Sequence, residues 1–590
     1  MPSSTTRLRL LATSDLHANL MGWDYHRDLP NPALGLLSLA DLIHSARAEV
    51  PMTLLLDNGD FLQGSALGDW AAETKPHDPH HTHPMIAAMN ALGFDAANIG
   101  NHEFSHGLPL LRRAAAAARF PLLSANLALD RDQPFVSETI LTRHLPGGGQ
   151  PLRIGLTGIA PPQTAIWESR NLNGALRATD PVPAAAAATR RLRYSGADIV
   201  ILLAHTGIGD ATHSPMMEDA AIPLSHLPEV DALILGHAHR LYPTAQETLA
   251  RPAVMPGCFG SHLGCIDLDL VRDGDRWRIQ RHDIRLLAPD PAPPPIPLPP
   301  SHEATRAWLR TPAGATGRTL HAHFARIVPS DLTRLIATAQ ADHVRRHLDP
   351  AAIDGRPILS AAAPFRSGGR NLRETVTDIS PGPLTLRHLT DIYPHPNTVI
   401  ALALTGQEVA DWLERAVHQF RRITPGSRDA DLIDGESPAF DFDLIDGLSF
   451  GIDLDAPARF DTRGMLADPD ARRITDLRHA GQRVRPQDRF ILATNSYRAD
   501  GSGGFAGCHP DRVLLDDGTP SRAALARWLA DHADLPPTTE RWALNPLPGT
   551  TALIDAPTGA DSHLDAIARF RPEILPRQAD TGLHRFRLHL

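Results

Sequence analysis

The chain has 590 residues, of which 42% are hydrophobic and 21% charged, and its formal net charge is −10. That length is too great for one core and predicts two or more domains. The composition is that of a soluble globular enzyme, and the acidic balance argues against broad binding to nucleic acid or anionic membranes. Cys258, Cys265 and Cys508 make neither a disulfide framework nor a C-x-x-C zinc motif.

No apolar run approaches the ~18–20 residues of a transmembrane helix. The opening MPSSTTRLRLLATSD reaches its first strand near Leu8 and leaves no room for an export signal. As written, the sequence predicts a cytoplasmic protein, or a periplasmic one if such a signal has been removed.

The first half alternates strand and helix signals. Strand-like runs are expected at Leu8–Thr13, Thr53–Leu56, Ala96–Ile99, Ile199–Leu203 and Ala232–Leu235, each ending in a polar loop. Those loops carry Asp15 and His17 in SDLHAN, Asp60 in NGDF, Asn101 in GNHEF, His205 in AHTG, and His237 with His239 in GHAHR. In open α/β sheets, binding groups gather at the carboxyl ends of strands. A lone D-x-H or G-H-x-H usually marks a satisfied polar loop. The full set in this order predicts a dinuclear metal site, whose ions stand about 3.5–4 Å apart and share a bridging carboxylate. Mixed Asp, His and Asn ligation suits Mn, Fe, Co or Zn.

Helical patterns are expected over Leu34–Ala48, over Met85–Leu92 behind Pro84, and over Pro183–Tyr194, which makes this half a layered α/β domain. The His-rich PHDPHHTHP, with His77, His80, His81 and His83, reads as a solvated loop. APDPAPPPIPLPP then breaks the alternation and reads as a stiff extended linker. The expected organisation is a first domain over 7–287, a Pro-rich linker over 288–304, a second domain over 305–555, and a tail over 556–590 with no assigned role.

In the second half, helices are expected at Thr305–Leu309 and Ser330–His347. Thr405-Gly-Gln-Glu408 forms a capping box that leads into the stripe Val409, Trp412, Leu413, Ala416 and Phe420, a core face. Strands are expected at Thr398–Leu404, Phe442–Ile445, Ser449–Leu454 and Phe490–Thr494. Arg366 and Arg370 lie in the Gly-rich AAAPFRSGGR, where backbone and guanidinium groups can approach a phosphate.

The ordered blocks D-x-H, G-D, G-N-H-E, H and G-H-x-H resemble the calcineurin-like metallophosphoesterases. By that resemblance Asp15, His17, Asp60 and His239 hold one metal, and Asp60, Asn101, His205 and His237 hold the other, with Asp60 bridging. His102 resembles the family's transition-state histidine, which donates a hydrogen bond or proton to the phosphate or the leaving oxygen. AAAPFRSGGR, PHPNTVIALALTGQEVADWLE, FDFDLIDGLSFGIDL and ATNSYRADGSGGF extend the resemblance to the 5′-nucleotidase family, from about Arg7 to about Pro510. SDLHAN followed by Asp24-Tyr25, the FDFDLIDG block and the NSYRA block are most similar to its bacterial 2′,3′-cyclic-nucleotide 2′-phosphodiesterase/3′-nucleotidase branch.

The resemblance implies an α/β fold, with an N-terminal four-layer α/β/β/α metallophosphoesterase domain and a C-terminal α+β substrate-binding domain. It implies two divalent metal ions as cofactors. It also implies hydrolysis of 2′,3′-cyclic nucleotides to 3′-nucleotides, and of these to nucleoside and phosphate. The partners would be small-molecule nucleotides, with no nucleic acid polymer and no membrane, and a monomer fits. Phe440 and Tyr497 match the positions where the family clamps the base, and Arg366 and Arg370 match substrate-binding positions. Phe442 competes with Phe440, since alternation sends one ring to the core and the other to the cleft. Many 5′-nucleotidases place an Asp after G-N-H-E-F to pair with the histidine. Ser105 stands there in this chain, so what holds His102 is open. The alternative reading is a 5′-nucleotidase or nucleotide-sugar hydrolase with the same metals.

Overall fold

The computed structural model describes residues 5–74, 78, 82–145, 150–274, 276–290, 298–368, 375–435, 437–532, 534–536, 541–577 and 583–590. They form two compact units, Met1–Leu309 and Arg310–Leu590.

In the first unit, the five expected runs are strands β1 (Thr6–Thr13), β2 (Thr53–Asp57), β3 (Ala96–Asn98), β4 (Ile199–Ala204) and β5 (Ala232–Leu235). β1, β2 and β3 are parallel neighbours in one sheet, and β4 and β5 are parallel neighbours in another. Side-chain alternation builds the layers. Leu8, Leu10 and Ala12 of β1 meet Ile201 and Leu203 of β4 in the core between the sheets. Leu11 and Leu55 face the other way, onto helices Ala40–Glu49, Pro84–Leu92 and Gly107–Ala117. Leu202 and Leu233 face Ala185 of helix Pro181–Tyr194. The result is α/β/β/α, and strands covered on both faces read as continuous apolar runs.

Local rules set the ends. Pro84 occupies the first turn of its helix, His83 Nδ1 accepts from Met85 N at 3.3 Å, and Gly93 closes the helix in the left-handed conformation at φ 69°. His83 is therefore a helix cap, while His77, His80 and His81 lie outside the described residues.

The division between units falls after Leu309, later in the chain than the expected linker. Helix Pro300–Leu309 belongs to the first unit. His302 Nδ1 lies 3.0 Å from Tyr25 Oη, Arg306 pairs with Asp28 at 2.7 Å, and Leu309 joins the first unit's core. The chain therefore changes unit after this helix, and the Pro-rich stretch, of which residues 291–297 lie outside the described set, precedes a docked element.

The second unit is built on a mixed sheet in the order Leu444–Asp446, Ile358–Ala362, Arg489–Asn495, Val399–Thr405, Val513–Leu515. Helices Asp331–His347 and Ser521–Asp531 pack together on one face. Helix Gly406–Ala416 packs on the other, behind the Thr405/Glu408 capping box, with Val409, Trp412, Leu413, Ala416 and Phe420 all buried. The last residues are no loose tail. Strand His584–His589 pairs with Thr551–Ala556 and buries Phe586 and Leu588 in the unit's core. The three cysteines are free. Among the described residues no helix is long and apolar enough to cross a membrane.

Candidate active site

The loops after β1 to β5 meet. Asp15 N donates to Gly59 O at 2.9 Å and His17 N donates to Asp60 O at 2.7 Å, which joins the loops after β1 and β2. Glu103 joins the loops after β2 and β3, because its buried carboxylate accepts backbone N–H bonds from Asp60, Phe61, Leu62 and Gly100 at 2.7 to 3.2 Å. Burial and the neighbouring Asp60 push the Glu103 carboxyl up to about 7. Two motif glycines are demanded by contact. A Cβ on Gly100 would lie 2.3 Å from Asp60 Oδ1, and one on Gly236 would lie 2.1 Å from Ser14 Oγ.

The loops bring the donors together. Ligand atoms of Asp15, His17 and His239 converge, as do those of Asp15, Asp60 and His205. Asp60 Oδ1 accepts from His102 N at 2.7 Å, while Oδ2 lies 3.1 Å from His205 Nε2 and 3.9 Å from His17 Nε2. Asp15 Oδ1 lies 3.3 Å from His239 Nε2 and 3.9 Å from His205 Nε2. Asn101 and His237 stand beside this cluster and face each other, with Asn101 Oδ1 3.2 Å from His237 Nδ1. The His237 backbone N–H donates to both Asp15 oxygens at 3.1 Å.

The tautomers are set from outside. His17 Nδ1 donates to Gln63 O at 2.9 Å and His205 Nδ1 donates to Asn58 O at 2.8 Å, so each aims Nε2 inward. His237 is turned the other way, with Nε2 on Glu218 Oε1 at 2.9 Å and Trp167 stacked on its ring at 5.8 Å. Carbonyl and carboxylate partners of this kind fix ring orientation at metal sites.

Charge and backbone make the same point. Burial alone would raise Asp15, but the His205 and His239 imidazoles outweigh it and hold the carboxyl at about 2. Asp60 is held well below the usual range against the same burial, by His205 and His102. Burial lowers His17 to about 3, helped by the adjacent His239, whereas Asp60 and Asp15 overcome burial and raise His205 to about 9. The His17 and His239 Nε2 atoms lie only 2.9 Å apart, and buried His205 Nε2 faces Asp60 Oδ2 at 3.1 Å. This crowding of inward imidazole nitrogens and ionised carboxylates suits a divalent cation. Asp15, His17, Asp60, His237 and His239 also sit at φ between 47° and 66°. Left-handed backbone in non-glycine residues costs on the order of 1–3 kcal/mol each and gathers where function demands it. The second unit offers a contrast. Buried His323 and half-buried His563 share one exposed Asp378 oxygen at 3.3 and 2.9 Å, and none of the three sits at positive φ.

With this geometry in view, the comparisons are specific. Residues 8–241 match the calcineurin-like phosphoesterases and residues 312–508 match the 5′-nucleotidase C-terminal domain. The chain is 35% identical to the 2′,3′-cyclic-nucleotide 2′-phosphodiesterase/3′-nucleotidase of Salmonella typhimurium strain LT2, over 93% of this chain and 91% of that one. The chain belongs to the 5′-nucleotidase family. The Yersinia enterocolitica protein of the same description is 34% identical over 92% of this chain and 88% of its own. The putative 5′-nucleotidase of Staphylococcus aureus shares the fold, with a TM-score of 0.74 at 20% identity over 91% of this chain and all of that one. The chain is thus a metal-dependent phosphoesterase, and divalent metal ions are its cofactor.

Membership in this family directs attention to the second unit's own candidates. Phe442 is 1% exposed in the core, against Phe420 and Trp542, so Phe440 is the half-exposed ring of the pair. Phe440 and Tyr497 are neighbours, with centroids 6.4 Å apart, but they meet edge to face at 86°. Arg498 ties their two loops together. Its buried guanidinium donates to Phe440 O at 2.6 Å, Ser502 O at 3.1 Å and Asp443 Oδ2 at 3.0 Å. Asp443 is accordingly a buried structural partner. Arg366 Nε lies 2.6 Å from Asp391 Oδ1, and Arg370 lies outside the described residues.

The sequence motifs did not reveal Arg498, Glu168, Trp167 or Glu218 as parts of these sites. Arg498 sits inside the recognised NSYRA block, yet its role depends on Phe440 and Asp443, far away in the chain. The other three lie between motifs and carry no local signal.

Proposed function

We propose that this chain hydrolyses 2′,3′-cyclic nucleotides to 3′-nucleotides, and 3′-nucleotides to nucleoside and phosphate, at a two-metal centre in the first unit. The observation that carries the reading is the convergence of Asp15, His17, Asp60, His205 and His239, with imidazole Nε2 atoms turned inward. It occurs in a chain that matches proteins of that description over nearly its whole length.

Asp15, His17, Asp60 and His239 would hold one metal, and Asp60, Asn101, His205 and His237 the other. Asp60 suits the bridge because His102 N occupies Oδ1 and leaves Oδ2 between His205 and His17. Divalent ions in such a centre supply a water acidified towards a pKa of ~7 and offset phosphoryl charge. His102 belongs to neither ligand set. Its imidazole donates to the phosphoryl or leaving oxygen. By the family resemblance, Phe440 and Tyr497 would hold the base by stacking, which is tolerant of base identity, and Arg366 and Arg370 would bind substrate. The two reactions share one centre, because opening the ring at the 2′ oxygen leaves a 3′ ester on the same nucleoside.

The test is nucleotide hydrolysis by Mn²⁺-supplied protein with 2′,3′-cAMP, 3′-AMP and 5′-AMP in parallel, products resolved by chromatography. The expected result is 2′,3′-cAMP passing through 3′-AMP to adenosine, with 5′-AMP poor and all activity lost to a chelator. Preference for 5′-AMP would make the protein a 5′-nucleotidase instead. Phe440→Ala should lower kcat/KM on 3′-AMP by about 5- to 150-fold, the equivalent of ~1–3 kcal/mol of stacking. Its hydrolysis of bis-p-nitrophenyl phosphate, which carries no base, should hold. An unchanged kcat/KM on 3′-AMP would remove Phe440 from the substrate site.

A further inference from the structure

His102 needs a group to orient it, and the position next to the G-N-H-E-F string offers only Ser105. The chain supplies the missing carboxylate from elsewhere. Thr164–Trp167 is a single helical turn whose last residue stacks on His237. The next residue, Glu168, is 7% exposed and turned towards Ser105. Ser105 Oγ donates to Glu168 Oε1 at 2.9 Å and lies 3.1 Å from His102 Nδ1. Asn171 Nδ2 donates to Glu168 Oε2 at 2.7 Å and to Ser105 O at 3.2 Å. Both carboxylate oxygens are thus engaged, and the serine is held at its hydroxyl and its carbonyl.

Proton counting gives the chain a direction. A carboxylate only accepts, and a serine hydroxyl has one hydrogen. That hydrogen goes to Glu168, so Ser105 Oγ can only accept from His102. Nδ1 then carries a proton and Nε2 is the nitrogen left to face the substrate, where it donates only once it too is protonated. We propose that Glu168, acting through Ser105, is the positioning residue that fixes the tautomer and orientation of His102. The inference rests on the role given to His102 above. It replaces a direct carboxylate–histidine contact with one hydroxyl-mediated step, and no atom of Glu168 needs to touch the substrate.

The experiment compares wild type, Glu168→Gln, Ser105→Ala, the double variant Ser105→Asp/Glu168→Gln, and His102→Ala, each with metal content measured. For Glu168→Gln and Ser105→Ala, kcat on 3′-AMP should fall about 10- to 100-fold, by analogy with the loss when partners of metal-ligating histidines are removed. KM and metal content should stay at wild-type values. The double variant puts a carboxylate on His102 Nδ1 directly and should recover most of the lost kcat. A second readout uses ¹⁵N-histidine NMR of Zn²⁺-loaded protein, following the signal that His102→Ala deletes. It should report an Nδ1–H ring in wild type and a loss of that preference in Glu168→Gln.

Wild-type kcat and an unchanged ring signal in Glu168→Gln, beside a defective His102→Ala, would overturn the relay alone. A defective Glu168→Gln with a normal Ser105→Ala would also overturn it, because Glu168 would then act by holding the Trp167–Asn171 turn. An unimpaired His102→Ala would instead overturn the role of His102, and the relay with it.

Discussion

Asp60→Asn loses the metals and the activity together. The substitution keeps the shape of the side chain and leaves an Oδ1 to accept from His102 N. It removes the charge from the oxygen that lies between His205 and His17. In the proposed assignment both metals lose their shared anion, whereas loss of a ligand such as His239 would strip only one. Several kcal/mol of transition-state charge stabilisation are attributed to such ions. About 4 kcal/mol corresponds to roughly a 10³-fold fall in kcat, which is the loss expected here. The measurement that separates this from a folding defect is thermal. Metal at ~100-fold over its Kd stabilises the native state by about 2.7 kcal/mol and raises Tm by a few degrees. Wild type should show that shift and Asp60→Asn should lack it, with its metal-free Tm still cooperative. Full metal occupancy with near-normal turnover would remove Asp60 from the centre.

What the sequence made legible follows from where its signals come from. Strands covered on both faces leave continuous apolar runs, so β1, β2, β4 and β5 were visible almost to the residue. The ligand loops were visible because their chemistry is local, in SDLHAN or GHAHR. Their backbone was not. Nothing in the letters of Asp15 or His17 announces a positive φ, at positions tied by the crossing hydrogen bonds between loops. The unit boundary was hidden for a similar reason. Proline content looks like a linker, and only the contacts of His302, Arg306 and Leu309 show that the following helix is docked. The last strand did carry an alternating pattern, HRFRLH, which six residues alone could not raise above background. Glu168 and Arg498 mark the limit of motif reading. Each matters through a partner distant in sequence, and their roles are fixed by tertiary contact.

His102→Ala separates the two functions that one residue combines. Its backbone N–H holds Asp60 Oδ1, and alanine keeps that bond. Its ring belongs to neither ligand set in the proposed assignment, so the metals should remain. Only the imidazole is lost, and with it a proton or hydrogen-bond donor worth about 10²–10⁴ in rate. The expected outcome is a kcat reduced by about that factor on 3′-AMP, with stoichiometric metal and a KM close to wild type. Loss of metal would show the ring to be a ligand. The leaving group then tells where the ring acts. If it donates to the departing ribose oxygen, p-nitrophenyl phosphate, whose phenolate leaves unaided, should lose far less rate than 3′-AMP. If it donates to a non-bridging phosphoryl oxygen, both substrates should lose the same factor, because that charge develops whatever group departs. The orienting chain from Glu168 is compatible with either, since it holds Nδ1–H and presents Nε2, which donates to either oxygen from the doubly protonated ring.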